Sequence, residues 1–315
     1  MSARPVARWT KNLGGPVRHP ITTDGTHLFA VSSGAVHCFS ADGTLKWRTE
    51  ANADGAVLPH ETGLYVPTGF GVMQVLDPSS GAIVTSHGGQ VPVQSIPLWL
   101  GNSLAWVNKD GVIVTPQSTS APALNGPASD AASDGQRLVV GNAMGEVVAA
   151  SHGGPHWRLQ LPGPIVAHPV IDEDKVYVAF GINDGQPGGI AAIRIVDGSL
   201  IWITHLRYGP GAAPALGTHV VVPGREAELV ALDRSHGGIR WRSPGPAVFT
   251  VQPAVVGDAI YAGDAEGRVH RVDMADGGTA WSLELGAAIT GAPVIVGDLI
   301  AVGTADGRIV ALAAP

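Results

Sequence analysis

Charge is scarce in this chain: Asp, Glu, Lys and Arg make up 14% of its 315 residues, against about a quarter in an average soluble protein. The hydrophobic fraction is an ordinary 45% and no low-complexity tract occurs, so bulk disorder is excluded. The 19 basic residues are scattered and outnumbered by 26 acidic ones, for a net charge of −7, so a nucleic-acid footprint is missing. Long apolar runs are missing too. Stretches such as Ile190 to Ile193 and Val220 to Val222 fall far short of the ~20 residues that cross a bilayer. The basic residues near the start, up to Trp9, have no apolar core or cleavage signature behind them. No secretory signal is expected in the chain as it stands, which suits a cytoplasmic site; a trimmed leader would make it periplasmic or otherwise extracytoplasmic. The single cysteine, Cys38, cannot close an internal disulfide, and between His37 and Phe39 it reads as a small buried hydrophobe. Sustained helical periodicity is absent, as 43 glycines and 24 prolines would lead one to expect. No GxSxG elbow, Walker loop, HExxH or paired-cysteine motif is present.

What is there is a repeat. Counting from Trp47, Trp157, Trp202, Trp241 and Trp281, a proline stands twelve residues on, at Pro59, Pro169, Pro214, Pro253 and Pro293; from Trp9 to Pro20 the step is eleven. Thr85 replaces the Trp before Pro97, and Ala131 replaces the Pro of a unit aligned through Leu138 to Ala150. Units therefore begin at Pro20, Pro59, Pro97, Ala131, Pro169, Pro214, Pro253 and Pro293, which makes eight of about 39 residues, near the ~40 of a four-stranded propeller blade. Within one unit, Pro253 to Val256, Ala259 to Gly263, Arg268 to Asp273 and Thr279 to Leu285 read as strands separated by turns of Gly with Asp. In the third of these, Arg268, His270 and Asp273 alternate with apolar neighbours. A sheet of this size cannot bury both faces alone, so the units must stack, and radial closure leaves only short protected edges. The expected fold is all-β: an eight-bladed β-propeller of four-stranded antiparallel blades, a single domain over residues 1–315.

The last unit stops before a fourth strand, while Arg8-Trp9-Thr10 has no earlier strands in front of it. The N-terminal strand is therefore expected to complete the last blade beside Arg308 to Leu312. Blade three is the least regular: between Val112 and Pro127, Pro116, Pro122 and Pro127 replace the turn and last-strand pattern, so an irregular or edge strand is expected.

Ala231-Leu232-Asp233 through Gly237 to Trp241 follows an AxDxxxGxxxW pattern. Asp273, Gly277 and Trp281 repeat it with Arg271 in the Ala place, and Asp77 and Gly81 with Thr85 in the Trp place. This resembles the PQQ-like repeat of quinoprotein dehydrogenases and of the BamB-type outer-membrane assembly lipoproteins, over essentially the whole chain. The resemblance implies eight blades, with Gly relieving a tight turn, Asp capping it, and the Trp docking flat between neighbouring blades at Trp9, Trp47, Trp157, Trp202, Trp241 and Trp281. Quinoprotein dehydrogenases are roughly twice as long and carry a vicinal Cys pair and calcium ligands that this chain lacks. No cofactor is expected, PQQ included, despite the repeat's name.

The Ser-His-Gly-Gly strings at Ser151 to Gly154 and Ser235 to Gly238 are expected to be turns before a last strand, and the third, Ser86 to Gly89, a loop after one. The Gly-rich stretches at Gly263 to Gly267 and Gly303 to Gly307 are expected to be hairpin turns. A ligand site is better sought at the mouth of the central channel, where the residues before the marker positions are His19, Leu58, Ile96, Asp130, His168, Ala213, Gln252 and Ala292. The longest insertion, Gly181 to Gly189, should hang over the same face. The candidate ligand-binding residues are Arg18, His19, Asp130, His168, Asn183, Asp184 and Gln252, with His19, Asp130 and His168 as metal candidates because imidazole with carboxylate suits zinc. More plainly, the same side chains are solvated rim residues or bond to neighbouring backbone. Two functions follow. One is a monomeric, non-catalytic scaffold that binds a protein or peptide, with Trp99, Arg207 and Tyr208 as exposed anchors, Trp99 being equally able to pack within its inner strand. The other is an enzyme or small-ligand or metal sensor at the channel mouth, with Arg18 holding an anion.

Overall fold

The computed structural model describes residues 5–88, 91–93, 95–116, 118–122, 124–151, 153–183 and 185–313. It contains 32 strands and, among the described residues, no helix. The strands form eight four-stranded antiparallel sheets, each strand pairing with the next along the chain in seven of them. Two compact units result, residues 1–87 with 249–315, and residues 88–248.

In the first unit, one sheet comprises Thr22–Thr23, His27–Ser32, Ala35–Ser40 and Leu45–Glu50. A second spans 58–88 and a third 254–284. The fourth joins Ile289–Val296, Leu299–Thr304 and Arg308–Ala313 to Ala7–Asn12 from the other end of the sequence. Here Trp9 pairs with Ala311, Thr10 with Val310 and Asn12 with Arg308, so the expected clasp forms. The second unit holds sheets over 98–122, 128–160, 170–206 and 215–244. In the first of these, Val112–Val114 is three residues long and shifts register against Thr119–Pro122, as the prolines there require.

Most second and third strands are covered on both faces, which is why they read as continuous apolar runs; Leu138–Asn142 is buried throughout, while Arg268–Asp273 is covered only in part. Fourth strands are exposed except at the tryptophan, as in Leu45–Glu50 around Trp47. The bland alternation of that strand hides a device. In six sheets the fourth strand bulges just before its Trp, so that for example Arg271 faces Trp281 but Val272 faces Thr279. A bulge re-aims a side chain, and for Trp9, Trp47, Trp157 and Trp202 it turns the indole toward the next sheet of its unit. The indole N–H then donates to a turn carbonyl there: Trp9 to Ala41 at 2.8 Å, Trp47 to Pro78 at 2.9 Å, Trp157 to Ile195 at 2.8 Å and Trp202 to Arg234 at 3.2 Å. The repeat glycine has two tasks at this contact. Gly237 has φ +72°, and a Cβ on it would stand 2.5 Å from the Trp202 ring. Trp281 is buried with no acceptor for its N–H, because the sheet it packs against takes its third and fourth strands from opposite ends of the chain and has no turn between them.

The repeat Asp caps its turn as expected: Asp233 Oδ1 accepts from the amides of Ser235 at 2.8 Å and His236 at 3.2 Å. Ser235 to Gly238 is thus a turn, and Ser151 pairs with Gly154 across another, His152 lying outside the described residues. The third string departs from expectation. Ser86, His87 and Gly88 are the end of the strand Ile83–Gly88 rather than a loop, because the turn closes at Gly81 with the spacing of its sister at Gly237 and the last strand runs six residues in both; Gly89 lies outside the described residues. Gly267 donates to Asp264 and Gly307 to Thr304 in the two Gly-rich hairpins.

Cys38 is buried, and burial pushes its thiol up to about 12, so it is a packing residue. Its neighbour His37 is 4% exposed, with Nε2 lacking a partner. Burial, helped by the charge of Arg48, lowers its pKa from 6.5 to about 4. The unfolded chain therefore takes up this proton below pH 6.5 while the folded chain resists until about pH 4. Stability should fall as pH drops through that window, by about 3 kcal/mol in all. Urea melts of wild type and His37→Leu between pH 7 and pH 4 check this: the loss should be shallower in the variant, and parallel curves would refute it.

Candidate functional site

In the first unit the connector that follows Ala7–Asn12, the hairpin between His27–Ser32 and Ala35–Ser40, and the connector after Leu45–Glu50 meet at one end of the sheets. They enclose a cleft of about 300 Å³ lined by Pro16, Arg18, His19, Val31, Ser33, Gly34, Ala53 and Asp54. Arg18 is exposed and meets no carboxylate among the described residues, whereas His19 Nε2 stands 3.7 Å from Asp54 Oδ1. Ser33 takes φ +51° in the hairpin turn. Its hydroxyl occupies space that a Cβ on Gly15 would invade at 2.1 Å, so a larger residue there would displace that hydroxyl.

The second unit carries a groove of about 570 Å³ where the long insertion meets the end of Leu200–Leu206 and the turn that follows. Ile182, Gln186 and Pro187 form one wall, and His205, Arg207 and Tyr208 the other. The insertion closes on itself through the Asn183–Gln186 bridge, and Asn183 Nδ2 donates to the Pro162 carbonyl at 3.2 Å. The Arg207 guanidinium lies 5.1 Å from the centre of the Tyr208 ring, and the imidazole of His205 packs edge-on to Phe180 at 5.9 Å. Ile182 is 47% exposed and Tyr208 37%.

The candidates from the sequence therefore divide. Arg18, His19 and Gln252 belong to the first unit, and Asp130, His168 and Asn183 to the second. Arg18 and His19 share the cleft; Gln252 is half-buried in the connector before Ala254–Val256. Asp130 Oδ1 accepts from the Ile96 amide at 3.0 Å, which ties two inner segments of its unit together. His168 is half-buried with no hydrogen bond or ion pair among the described residues, and Asp184 lies outside them. No group of three or more His, Cys, Asp or Glu able to hold a metal occurs among the described residues. Trp99 is half-buried in Leu98–Leu100, its carbonyl accepting from Ser133 Oγ.

Sequence reasoning missed Asp54, Ser33 and the groove residues Ile182 and His205. Asp54 carried a weak signal, as an acidic residue in the connector just past a repeat Trp. A further polar cluster escaped it altogether. Asp264, fully buried, accepts from the amides of Glu266 at 3.0 Å and Arg268 at 2.8 Å, and its second oxygen meets His270 Nε2 at 2.9 Å, while His270 Nδ1 meets Ser282 Oγ at 2.7 Å. His270 is 3% exposed, so this relay of carboxylate, imidazole and hydroxyl ties a turn to two strands inside one sheet.

Eight four-stranded antiparallel sheets, joined by tryptophans docked on repeat turns and closed by a strand from the other terminus, define the class: an eight-bladed β-propeller of PQQ-like repeats. The chain belongs to the family described as outer membrane protein assembly factor BamB, which matches residues 6–125, 101–218 and 186–314. Among solved structures it is similar to BamB from Moraxella catarrhalis, at 18% identity and TM-score 0.80 over 99% of this chain and 98% of that one. It is also similar to the computationally designed Ika8 protein, at 14% identity and TM-score 0.82 over 96% and 98%. Sqt1 of Saccharomyces cerevisiae is similar at 10% identity and TM-score 0.83 over 97% and 98%. No curated protein matches the chain. No helix among the described residues is long and apolar enough to cross a membrane.

Proposed function

We propose that this protein is a non-catalytic scaffold that binds a protein or peptide partner in the groove formed by the 181–189 insertion and Arg207-Tyr208. The observation that carries the proposal is the composition of that groove. It joins an exposed tyrosine, an arginine stacked on it and an exposed isoleucine, and Arg207 faces no carboxylate among the described residues. Tyr and Arg dominate binding energy at interfaces because each combines large contact area with directional polar groups. Their fixed pairing here also lowers the entropy that must be lost on binding. The family's description, an assembly factor, is carried over to this chain in the same sense: its work is to hold another protein. Nearly all of the sequence is repeat scaffold, and the scaffold is proposed to work without a cofactor. The protein is expected to act as a monomer and as one domain.

Arg207→Ala and Tyr208→Ala, made singly, should each weaken partner binding by about 2 kcal/mol, some thirtyfold. Both residues are exposed, so the melting temperature should not move. Quantitative co-purification from the native organism, comparing wild type with each variant, measures this. Equal recovery of every specific partner by wild type and both variants would overturn the assignment of the groove.

A further inference from the structure

We propose that the cleft over Arg18 and His19 binds a small monovalent carboxylate bearing at least one hydroxyl group. It is carried by the first compact unit, whereas the partner groove is carried by the second, so the two functions stand or fall separately.

The chemistry of the lining selects the ligand. Arg18 is exposed at the cleft and has no carboxylate partner among the described residues, so it supplies a planar pair of donors for one carboxylate. His19 and Asp54, 3.7 Å apart, together offer a donor and an acceptor, and the Ser33 hydroxyl offers both. Such a set satisfies an alcohol, which needs to give one hydrogen bond and receive another. Val31 and Ala53 are buried and with Pro16 form an apolar floor suited to a carbon skeleton. A volume of about 300 Å³ is at the lower end of small-molecule sites and too small for a folded partner.

The charge balance argues against a phosphate. A dianion would face Asp54 with a single unopposed guanidinium to hold it, and Asp54 would then repel it.

Local backbone structure supports a built site. Among the described residues four non-glycine residues have positive φ, and two of them bracket this cleft: Ser33, which lines it, and Asn52, just before Ala53 and Asp54. For serine this conformation costs about 1 kcal/mol or more, a cost that glycine would avoid. What serine adds there is the hydroxyl at the cleft, and Gly15 leaves space for it.

The test is titration of the whole protein, followed by amide NMR and calorimetry, with D-galacturonate as probe and D-galactose, acetate and inorganic phosphate as comparisons. Galacturonate should shift the amides of His19, Ser33, Gly34 and Asp54 in a saturable way. Galactose, which lacks the carboxylate, and acetate, which lacks the hydroxyls, should each bind at least about tenfold more weakly. Arg18→Ala, at an exposed position, should keep the wild-type melt and lose about tenfold in galacturonate affinity. No saturable shift at these amides at millimolar galacturonate would overturn the proposal. So would phosphate or acetate binding as tightly, or an Arg18→Ala variant that binds galacturonate unchanged.

Discussion

Removal of residues 1–12 is expected to lower the melting temperature by about 7 °C or more, the largest effect foreseen for any terminal change. The deletion takes away the whole strand Ala7–Asn12 and its ladder with Arg308–Ala313. It also removes the Trp9 indole, which stacks on Phe39 with ring centres 6.2 Å apart and donates to the Ala41 carbonyl. What remains is a bare sheet edge and a core cluster, including Leu28, Ile309 and Ala311, with one wall opened to water. A cost of at least about 5 kcal/mol is reasonable for a docked strand with a large aromatic, and each kcal/mol moves the midpoint of a chain this long by about 1.5 °C. Trp9→Ala keeps the ladder and should cost only about 2 to 3 kcal/mol. Scanning calorimetry of the three proteins decides the matter, and an unchanged melt for the deletion would mean that the clasp contributes nothing.

Asp264→Ala should be the most damaging single substitution within a sheet, costing about 3 to 5 kcal/mol. The carboxylate is wholly buried and accepts from two turn amides and from His270. Alanine leaves the buried His270 imidazole and the two part-buried turn amides without this acceptor, and an unmade buried hydrogen bond costs more than a made one contributes. Glu266→Ala, two residues away, breaks an ion pair with Arg268 whose acidic side chain is 57% exposed. It should cost under about 1 kcal/mol. Chemical denaturation of both variants measures the contrast; equal, small effects would show that the Asp264 to His270 relay is not a stabilising feature.

The repeat was legible because its spacing is enforced twice over. Gly237 is needed both for its backbone angle and for the Trp202 ring that lies against it, so neither residue can drift alone. The closing strand was legible by counting, since a sheet short of one strand and a spare strand with a repeat Trp complement each other. The bulge before each Trp was not, because an extra residue in an exposed fourth strand leaves no mark on polarity. His270 was visible as a polar residue alternating with valines, the pattern of a strand with one wet face. The histidine itself is buried, so it needs partners, and they come from a turn and from a neighbouring strand that pair with it only in the folded sheet. Asp130 shows the reverse. Its position before a marker residue suggested a channel ligand, yet its carboxylate is engaged by the Ile96 amide. Arg18 and His19 were found from their place in the repeat, while Asp54 and Ser33, which complete their cleft, come from other connectors and turns and carry no spacing of their own.

The scaffold role is tested most directly by photocrosslinking in cells of the native organism, with p-benzoylphenylalanine placed in turn at Ile182, Tyr208 and Val196. The first two flank the groove, and Val196, 62% exposed, sits in the turn at the other end of the same sheet. The predicted result is one discrete protein adduct, the same from positions 182 and 208 and absent from 196. Adducts that are identical from all three positions, or none from the two groove positions, would contradict it.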